Sequence, residues 1–379
     1  MSTPHHLSRR EARRILIRAQ LLTKERPGDV VETVRELGHL QIDPVKAVAP
    51  AHHLVLWSRL GRDYDQGDLD AHLADRTLIE ILGHIRSGED IGLYRAEMET
   101  WPSPAGRKGE TLPWQVSNAR WVEANDRARR AILDLLETEG PAPTGAIPDH
   151  TEVPWQSSGW TNEKNVQRLL DFMGARGEIA VAGREGGQRL WDLAERIYPD
   201  VPTIPIEEAQ TVKDEWRLAA LGILRPRGPQ CPSESLDAGN AGEEAVVDGV
   251  KGTWRVHGSY LDQQPWDGRV ALLCPIDRLV FDRTRMRELL EFDYILEMYK
   301  PKAKRKWGYY ALPVLDSDTL CGKLDTTADP KAGVLRVDAL HEDGVWSASR
   351  RDRVLEQIHD LAAWLGLEPI LPTHLGGTR

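Results

Sequence analysis

The chain has 379 residues, 40% hydrophobic and 28% charged, with a net charge of −10, the composition of a folded protein with room for roughly two to four modules. It contains no apolar run of about 18 residues, which excludes a membrane-spanning helix, and the polar, basic start MSTPHHLSRREARR is unlike a secretory signal. Cys231, Cys274 and Cys321 are widely spaced and form no CxxC or Cys/His pattern, so a reduced cytoplasmic protein without metal, disulfide or cofactor is expected.

Residues 7–22 carry apolar positions at helical spacing behind Ser8, a good N-cap. GDVVETVRELG reads as a second short helix stopped by Gly38. The next stretch, HLQIDPV, reads as extended. Leu40 and Ile42 alternate with Gln41 and Asp43, so on a strand the amide and the carboxylate share one face while the apolar pair anchors the other. AHHLVLWSRLG then runs to a glycine, and short helices around one extended piece suggest a helix-turn-helix module over 1–120. His52 and His53 are adjacent, so their rings are expected to point apart and to serve hydrogen bonding rather than a shared metal. LDAHLADRTLIEILGHI reads as helical, and WPSPAGRKGETLPW as a Pro/Gly-rich loop.

Over 121–200 the pattern is clearer. WVEANDRARRAILDLLETEG is an amphipathic helix ending at Gly140, PAPTGAIPD a turn, and TNEKNVQRLLDFMGARG a helix with Thr161 as N-cap and Gly177 past its end. EIAVAGREGGQRLWDLAE adds two strands about a Gly-Gly turn. Helix, turn, helix and hairpin is the winged-helix order. A weaker copy spans 201–262, with the helix IEEAQTVKDEWRLAALG and the strands of AVVDGVKGTWRVHGSYL. In 263–379, RVALLCPIDRLVFD, KWGYYALPVL, DTLCGKLDTTAD and AGVLRVDALHE read as short strands of a small β-domain, closed by the amphipathic helix RDRVLEQIHDLAAWLGL. The fold class is therefore α+β.

Although the net charge is negative, the basic residues cluster: Arg9, Arg10, Arg13, Arg14 and Arg18; Arg127, Arg129 and Arg130; Arg278, Arg283, Arg285 and Arg287; Lys300, Lys302, Lys304, Arg305 and Lys306. Binding to phosphates depends on such local patches rather than on total charge; a solvated surface is the better account of any one of them, and four together weaken that account for all. No P-loop, GxGxxG, GxSxG or HExxH motif is present, which leaves nucleotide, hydride, serine-hydrolase and zincin chemistry without a handle. Gln41 and Asp43 are the better candidates. A carboxylate beside an amide can hold one water and take its proton. The competing role for Asp43 is to cap the element that begins at Pro44.

Three stretches, LGHLQIDPV, HHLVLWSRLG with YD shortly after, and PIDRLVFDRTRMRELLEFDYILEMYKPKAKRKWGYYALPVL followed by GKLDTTADPKAGVLRV, resemble the winged-helix DNA glycosylases of the YcaQ/AlkZ type. Those enzymes unhook interstrand crosslinks and excise bulky N7-alkylguanines. The resemblance implies tandem winged-helix motifs ending in a β-barrel-like domain. It also implies a catalytic pair at Gln41-Ile42-Asp43, which matches the Gln-apolar-Asp version of the family's motif. The chain departs from the pattern at Ala49-Pro50-Ala51, where an Arg is often found.

On this resemblance the substrate is double-stranded DNA with an alkylated or crosslinked guanine. A cationic N7-alkylpurine leaves without a strong general acid, Asp43 stabilises the oxocarbenium-like sugar and activates water, and Gln41 orients that water. The motif has no lysine, so no lyase step is implied. Lys164, Arg168, the wing residues Arg184 and Arg189, and the segment with Lys302, Lys304, Arg305 and Lys306 would grip phosphates. A monomer in a bacterial cytoplasm, on the nucleoid when bound, is expected. The rival reading is a non-catalytic winged-helix DNA-binding protein or transcriptional regulator.

Overall fold

The computed structural model describes residues 3–43, 45–102, 111–156, 162, 164–228, 231, 234–262 and 265–373. The chain forms two compact units, one of residues 1–68 with 214–379 and the other of residues 69–213.

In the first unit, the helix Arg9–Ala19 starts at Ser8 in a capping box. The Ser8 hydroxyl accepts from the Glu11 amide at 3.2 Å and the Glu11 carboxylate accepts from the Ser8 amide at 2.7 Å, so two of the amides at the helix start are satisfied reciprocally. Replacing Ser8 with alanine is expected to lower unfolding free energy by about 1 kcal/mol, read by urea denaturation; an unchanged midpoint would show that the box adds nothing. The buried side of this helix, Leu16 and Ile17, joins a core with Trp254, Leu273, Leu279, Met286, Leu289 and Leu315. Residues from both ends of the sequence thus share one apolar interior.

That interior lies beside two sheets. The strand His5–Leu7 runs parallel to Glu243–Val247, followed by Thr253–Val256 and Ile223–Leu224. The other sheet has the order Val270–Leu272, Leu312–Asp316, Thr319–Asp329, Val334–Glu342, Glu368–Ile370, antiparallel except for the last pair. Register shifts at Val314/Leu315 and Asp325/Thr326 bend its long strands. The helix Ala348–Trp364 buries Val354, Ile358 and Leu361. The strands expected in the tail are present, but RVALLCPIDRLVFD supplies only the three residues Val270–Leu272 before the helix Arg278–Phe281.

In the second unit, the helices Asp126–Glu139 and Asn165–Ala175 precede the hairpin Ile179–Glu185/Gln188–Leu193. Gly186 and Gly187 turn it at φ +54 and +81, the left-handed pair that a two-residue turn requires. The cap expected at Thr161 lies outside the described residues; the helix begins at Asn165. Trp121, Trp155 and Phe172 meet edge-on in the core, with ring centroids 5.1 to 6.0 Å apart. One expectation is corrected: LDAHLADRTLIEILGHI is helical only in its first half, within Gln66–Ala74, and continues as the hairpin Leu78–Ile81/His84–Ser87. Leu82 and Gly83 take φ +50 and +80, and the branched Ile79, Ile81 and Ile85 suit a pleated surface better than a helix.

Candidate active site

The helix Val30–Leu37 begins at Asp29, whose carboxylate accepts from the Glu32 amide at 2.8 Å, and ends at Gly38 with φ +75. A Cβ at Gly38 would lie 3.3 Å from the Arg278 guanidinium, so this glycine provides both the left-handed turn and room for Arg278. Arg278 donates to the Leu37 carbonyl. Beyond the motif, the Ala328 amide donates to the Ala47 carbonyl at 2.9 Å. The segment carrying Gln41 and Asp43 is therefore held at both ends by residues far downstream in the sequence.

Between these anchors, Leu40–Gln41 forms a two-residue strand. Leu40 is buried, whereas Ile42, Gln41 and Asp43 are half-buried. The Asp43 Oδ1 accepts from the Val45 amide at 2.8 Å, so Asp43 does tie the local turn. Its other oxygen meets no donor among the described residues, and no cation pairs with it there. Turn-holding and chemistry are compatible in this side chain because a carboxylate has two oxygens. The Gln41 side chain likewise makes no hydrogen bond to another described residue, and it lines a cavity of about 10 Å³ with Gln20, His39, Arg59 and Arg278.

The ground beneath is a buried charge network. Arg59 and Asp277 are fully buried and form a two-pronged pair, with Nη2 to Oδ1 at 3.0 Å. Arg59 Nε also donates to the Gln20 carbonyl at 3.1 Å and Nη1 to the Ser58 hydroxyl, while Asp277 Oδ1 accepts from the Leu279 amide at 3.0 Å. Arg285 donates to the Arg278 carbonyl at 2.7 Å. Close by, the Tyr310 hydroxyl lies 3.5 Å from the Cys274 thiol. Burial above all, with smaller contributions from the charges of Asp277 and Asp43, holds the Cys274 pKa up at about 12, and burial, the Cys274 neighbour and Asp43 raise Tyr310. Both groups stay protonated and neutral, so neither adds a charge of its own beside Asp43.

His53 Nδ1 lies 2.7 Å from the Tyr64 hydroxyl, the hydrogen-bonding role expected of it. The His52 and His53 ring centroids are only 4.4 Å apart, closer than adjacency on a regular helix or strand suggests.

The basic clusters differ sharply in how much charge they leave free. Arg9 and Arg13 pair with Glu291, and Arg10 and Arg14 with Asp318. Arg129 and Arg130 pair with Asp126 at 2.7 and 2.6 Å. In the second unit, Arg184 meets Glu80 at 2.7 Å, Arg189 lies between Glu80 at 3.4 Å and Asp171 at 2.8 Å, and Arg168 lies 3.7 Å from Asp171. Lys164 is exposed at the N-cap of the helix Asn165–Ala175.

The loop over 300–306 behaves otherwise. Its base is stapled by Glu297, only 2% exposed, which accepts from Lys300 Nζ at 2.8 Å and from the Lys306 and Trp307 amides at 2.6 and 2.8 Å. Lys302, Lys304 and Lys306 are exposed and make no ion pair among the described residues. Arg305 donates to the Lys300 carbonyl at 2.9 Å and stacks over Tyr309 at 4.9 Å.

Sequence reasoning misses Gln20, Arg59, Asp277 and Glu297 as supports of these features. Arg59 and Asp277 do carry a signal, Arg59 being a lone charge in the apolar run LVLWSRLG and Asp277 standing with Arg278 as a charged pair inside LLCPIDRLVF. Gln20 and Glu297 carry none.

The family model described as DNA glycosylase AlkZ-like matches residues 34–364. Among solved structures, the chain is similar to the Streptomyces sahachiroi DNA glycosylase AlkZ, with a TM-score of 0.61 and 15% identity, over 97% of this chain and 100% of that one.

Proposed function

The chain belongs to the AlkZ-like DNA glycosylase family, and we propose that it is a monofunctional glycosylase that hydrolyses the N-glycosidic bond of N7-alkylated purines in duplex DNA, crosslinked guanines included. The observation that carries this reading is the state of Asp43. One oxygen is tied to Val45, and among the described residues the other meets no donor and no cation neutralises the charge. As the C1′–N9 bond breaks, its electron pair neutralises the cationic base and positive charge builds on the sugar. The Asp43 carboxylate stabilises that charge and takes a proton from the water whose oxygen attacks C1′, while Gln41 orients the water. Incubation with a duplex carrying one N7-methylguanine, then alkali, is expected to cut the strand at the lesion. Retained binding without strand breaks would favour the rival, a non-catalytic DNA-binding protein.

In this reading the helix–helix–hairpin order over 126–193 is a winged helix, the bent sheet of 270–370 part of a barrel, and 1–120, 121–200, 201–262 and 263–379 the modules of the chain. It acts as a monomer in a bacterial cytoplasm; among the described residues no helix is long and apolar enough to cross a membrane. The phosphate-gripping element is the loop with Lys302, Lys304, Arg305 and Lys306, because its lysines are not already spent on carboxylates. Arg168, Arg184 and Arg189 contribute less, since Glu80 and Asp171 compete for them, while the exposed Lys164 adds a single charge. Replacing Lys302 and Lys304 with alanine is expected to reduce the slope of log K against log salt by about 2, near 0.9 for each phosphate no longer neutralised, while Arg10→Ala/Arg14→Ala leaves it unchanged. Equal slopes for both pairs would remove the loop from the footprint.

A further inference from the structure

Gln20 follows the last turn of the helix Arg9–Ala19 and is wholly buried. Its amide nitrogen donates to the Ala220 carbonyl, which fixes which way the amide faces. The amide oxygen, Oε1, is then left buried without a donor among the described residues. Buried polar atoms are seldom left so, because the lost hydration is not recovered. Gln20 also lines the cavity of about 10 Å³ together with Gln41, His39, Arg59 and Arg278. That volume is close to one water, which needs two to four polar partners; the walls are largely apolar, with Leu37, Leu40, Val55 and Ile276, so Gln20 Oε1 and the Gln41 amide are the two partners a water there would take.

We propose that Gln20 is a positioning residue for Gln41, acting through a single water in this cavity. The water donates one hydrogen to Gln20 Oε1 and accepts from the Gln41 side-chain nitrogen. Held in this way, Gln41 keeps its nitrogen inward and presents its oxygen outward as an acceptor for the attacking water. Without the link, the two ends of the Gln41 amide compete for the outward position. The inference rests on the reading of Gln41 as part of the catalytic pair.

The test is a double-mutant cycle in the full-length protein, read as single-turnover excision from a duplex carrying one N7-methylguanine. Gln20→Met keeps the length but removes both the acceptor and the donor to the Ala220 carbonyl; the lost Ala220 bond is read as a lower urea midpoint, and the lost acceptor is expected to slow excision about tenfold, the effect of one orienting hydrogen bond, with affinity for undamaged duplex unchanged. Combined with Gln41→Ala, it should cause no further loss beyond that of Gln41→Ala alone. Multiplying losses in the double variant, or Gln20→Met at the native rate, would overturn the proposal. A crystal structure of the native protein adds a readout independent of how the variants fold. It should show an ordered water within hydrogen-bond distance of Gln20 Oε1 and the Gln41 side chain, and its absence where other buried waters are resolved would also overturn the proposal. Native rates for Gln41→Ala would instead sink the catalytic reading on which it rests, whereas slow Gln41→Ala beside fast Gln20→Met sinks this inference alone.

Discussion

Replacing Asp43 with asparagine is expected to slow single-turnover excision by about 10²- to 10⁴-fold, the contribution of a positioned general base, with duplex affinity unchanged. The substitution keeps the side chain's shape. Asparagine Oδ1 can still accept from the Val45 amide, the bond that ties the turn at 2.8 Å, so the segment between the Arg278 and Ala328 anchors should hold its course. What is lost is the charge and basicity of the open oxygen, and both matter only once positive charge develops on the sugar. The loss should therefore fall on the excision step and not on binding. Native-rate excision by this variant would place the proton acceptor elsewhere and return Asp43 to the role of a turn residue.

The largest expected effect on stability is at Asp277, where alanine should lower unfolding free energy by about 3–5 kcal/mol, a large share of the roughly 5–15 kcal/mol that native proteins possess. Arg59 and Asp277 both have fully buried side chains, so removing the carboxylate leaves a buried guanidinium with no counterion. A second cation aggravates this. Arg285 is buried nearby with Nε and Nη1 lacking acceptors, and burial pulls its pKa down while the charges of Asp282 and Asp277 oppose that shift. Asp277 also caps the helix Arg278–Phe281 through the Leu279 amide. Its loss would free Arg278, the residue that anchors Leu37, so excision should fall along with stability. Urea denaturation measures the effect. A loss below about 1 kcal/mol would mean that the pair is hydrated or relaxed in solution, whereas replacing both partners with apolar residues of similar volume should recover much of the loss.

Local features are legible from the residues alone. Ser8 with Glu11, and Gly38 after Leu37, mark the helix ends, and the Gly-Gly pair at 186–187 marks its hairpin, because caps and tight turns depend on neighbours a few positions away. The hairpin Leu78–Ile81/His84–Ser87 reads as helix in the sequence, since a short apolar run fits either period and only Leu82-Gly83 reveals the turn. The parallel pairing of His5–Leu7 with Glu243–Val247 is out of reach, three residues being too few to show a pattern. At the site, alternation predicts that Gln41 and Asp43 share a face, although the strand ends at Gln41, and nothing local reveals that Arg59 meets a carboxylate 218 positions away. Charge misleads for the same reason. Arg9, Arg10, Arg13 and Arg14 of the first helix look like a free nucleic-acid patch until Glu291 and Asp318 arrive from distant parts of the chain, each pairing with two of them and offsetting half of their charge.

The most direct test of the central claim is to identify what leaves the DNA. Mass spectrometry after incubation with a duplex bearing one N7-methylguanine should find the free methylated base and an uncut strand with an abasic site, formed by the native protein and suppressed in Asp43→Asn. No released base from the native protein, or equal release from Asp43→Asn, would contradict the account.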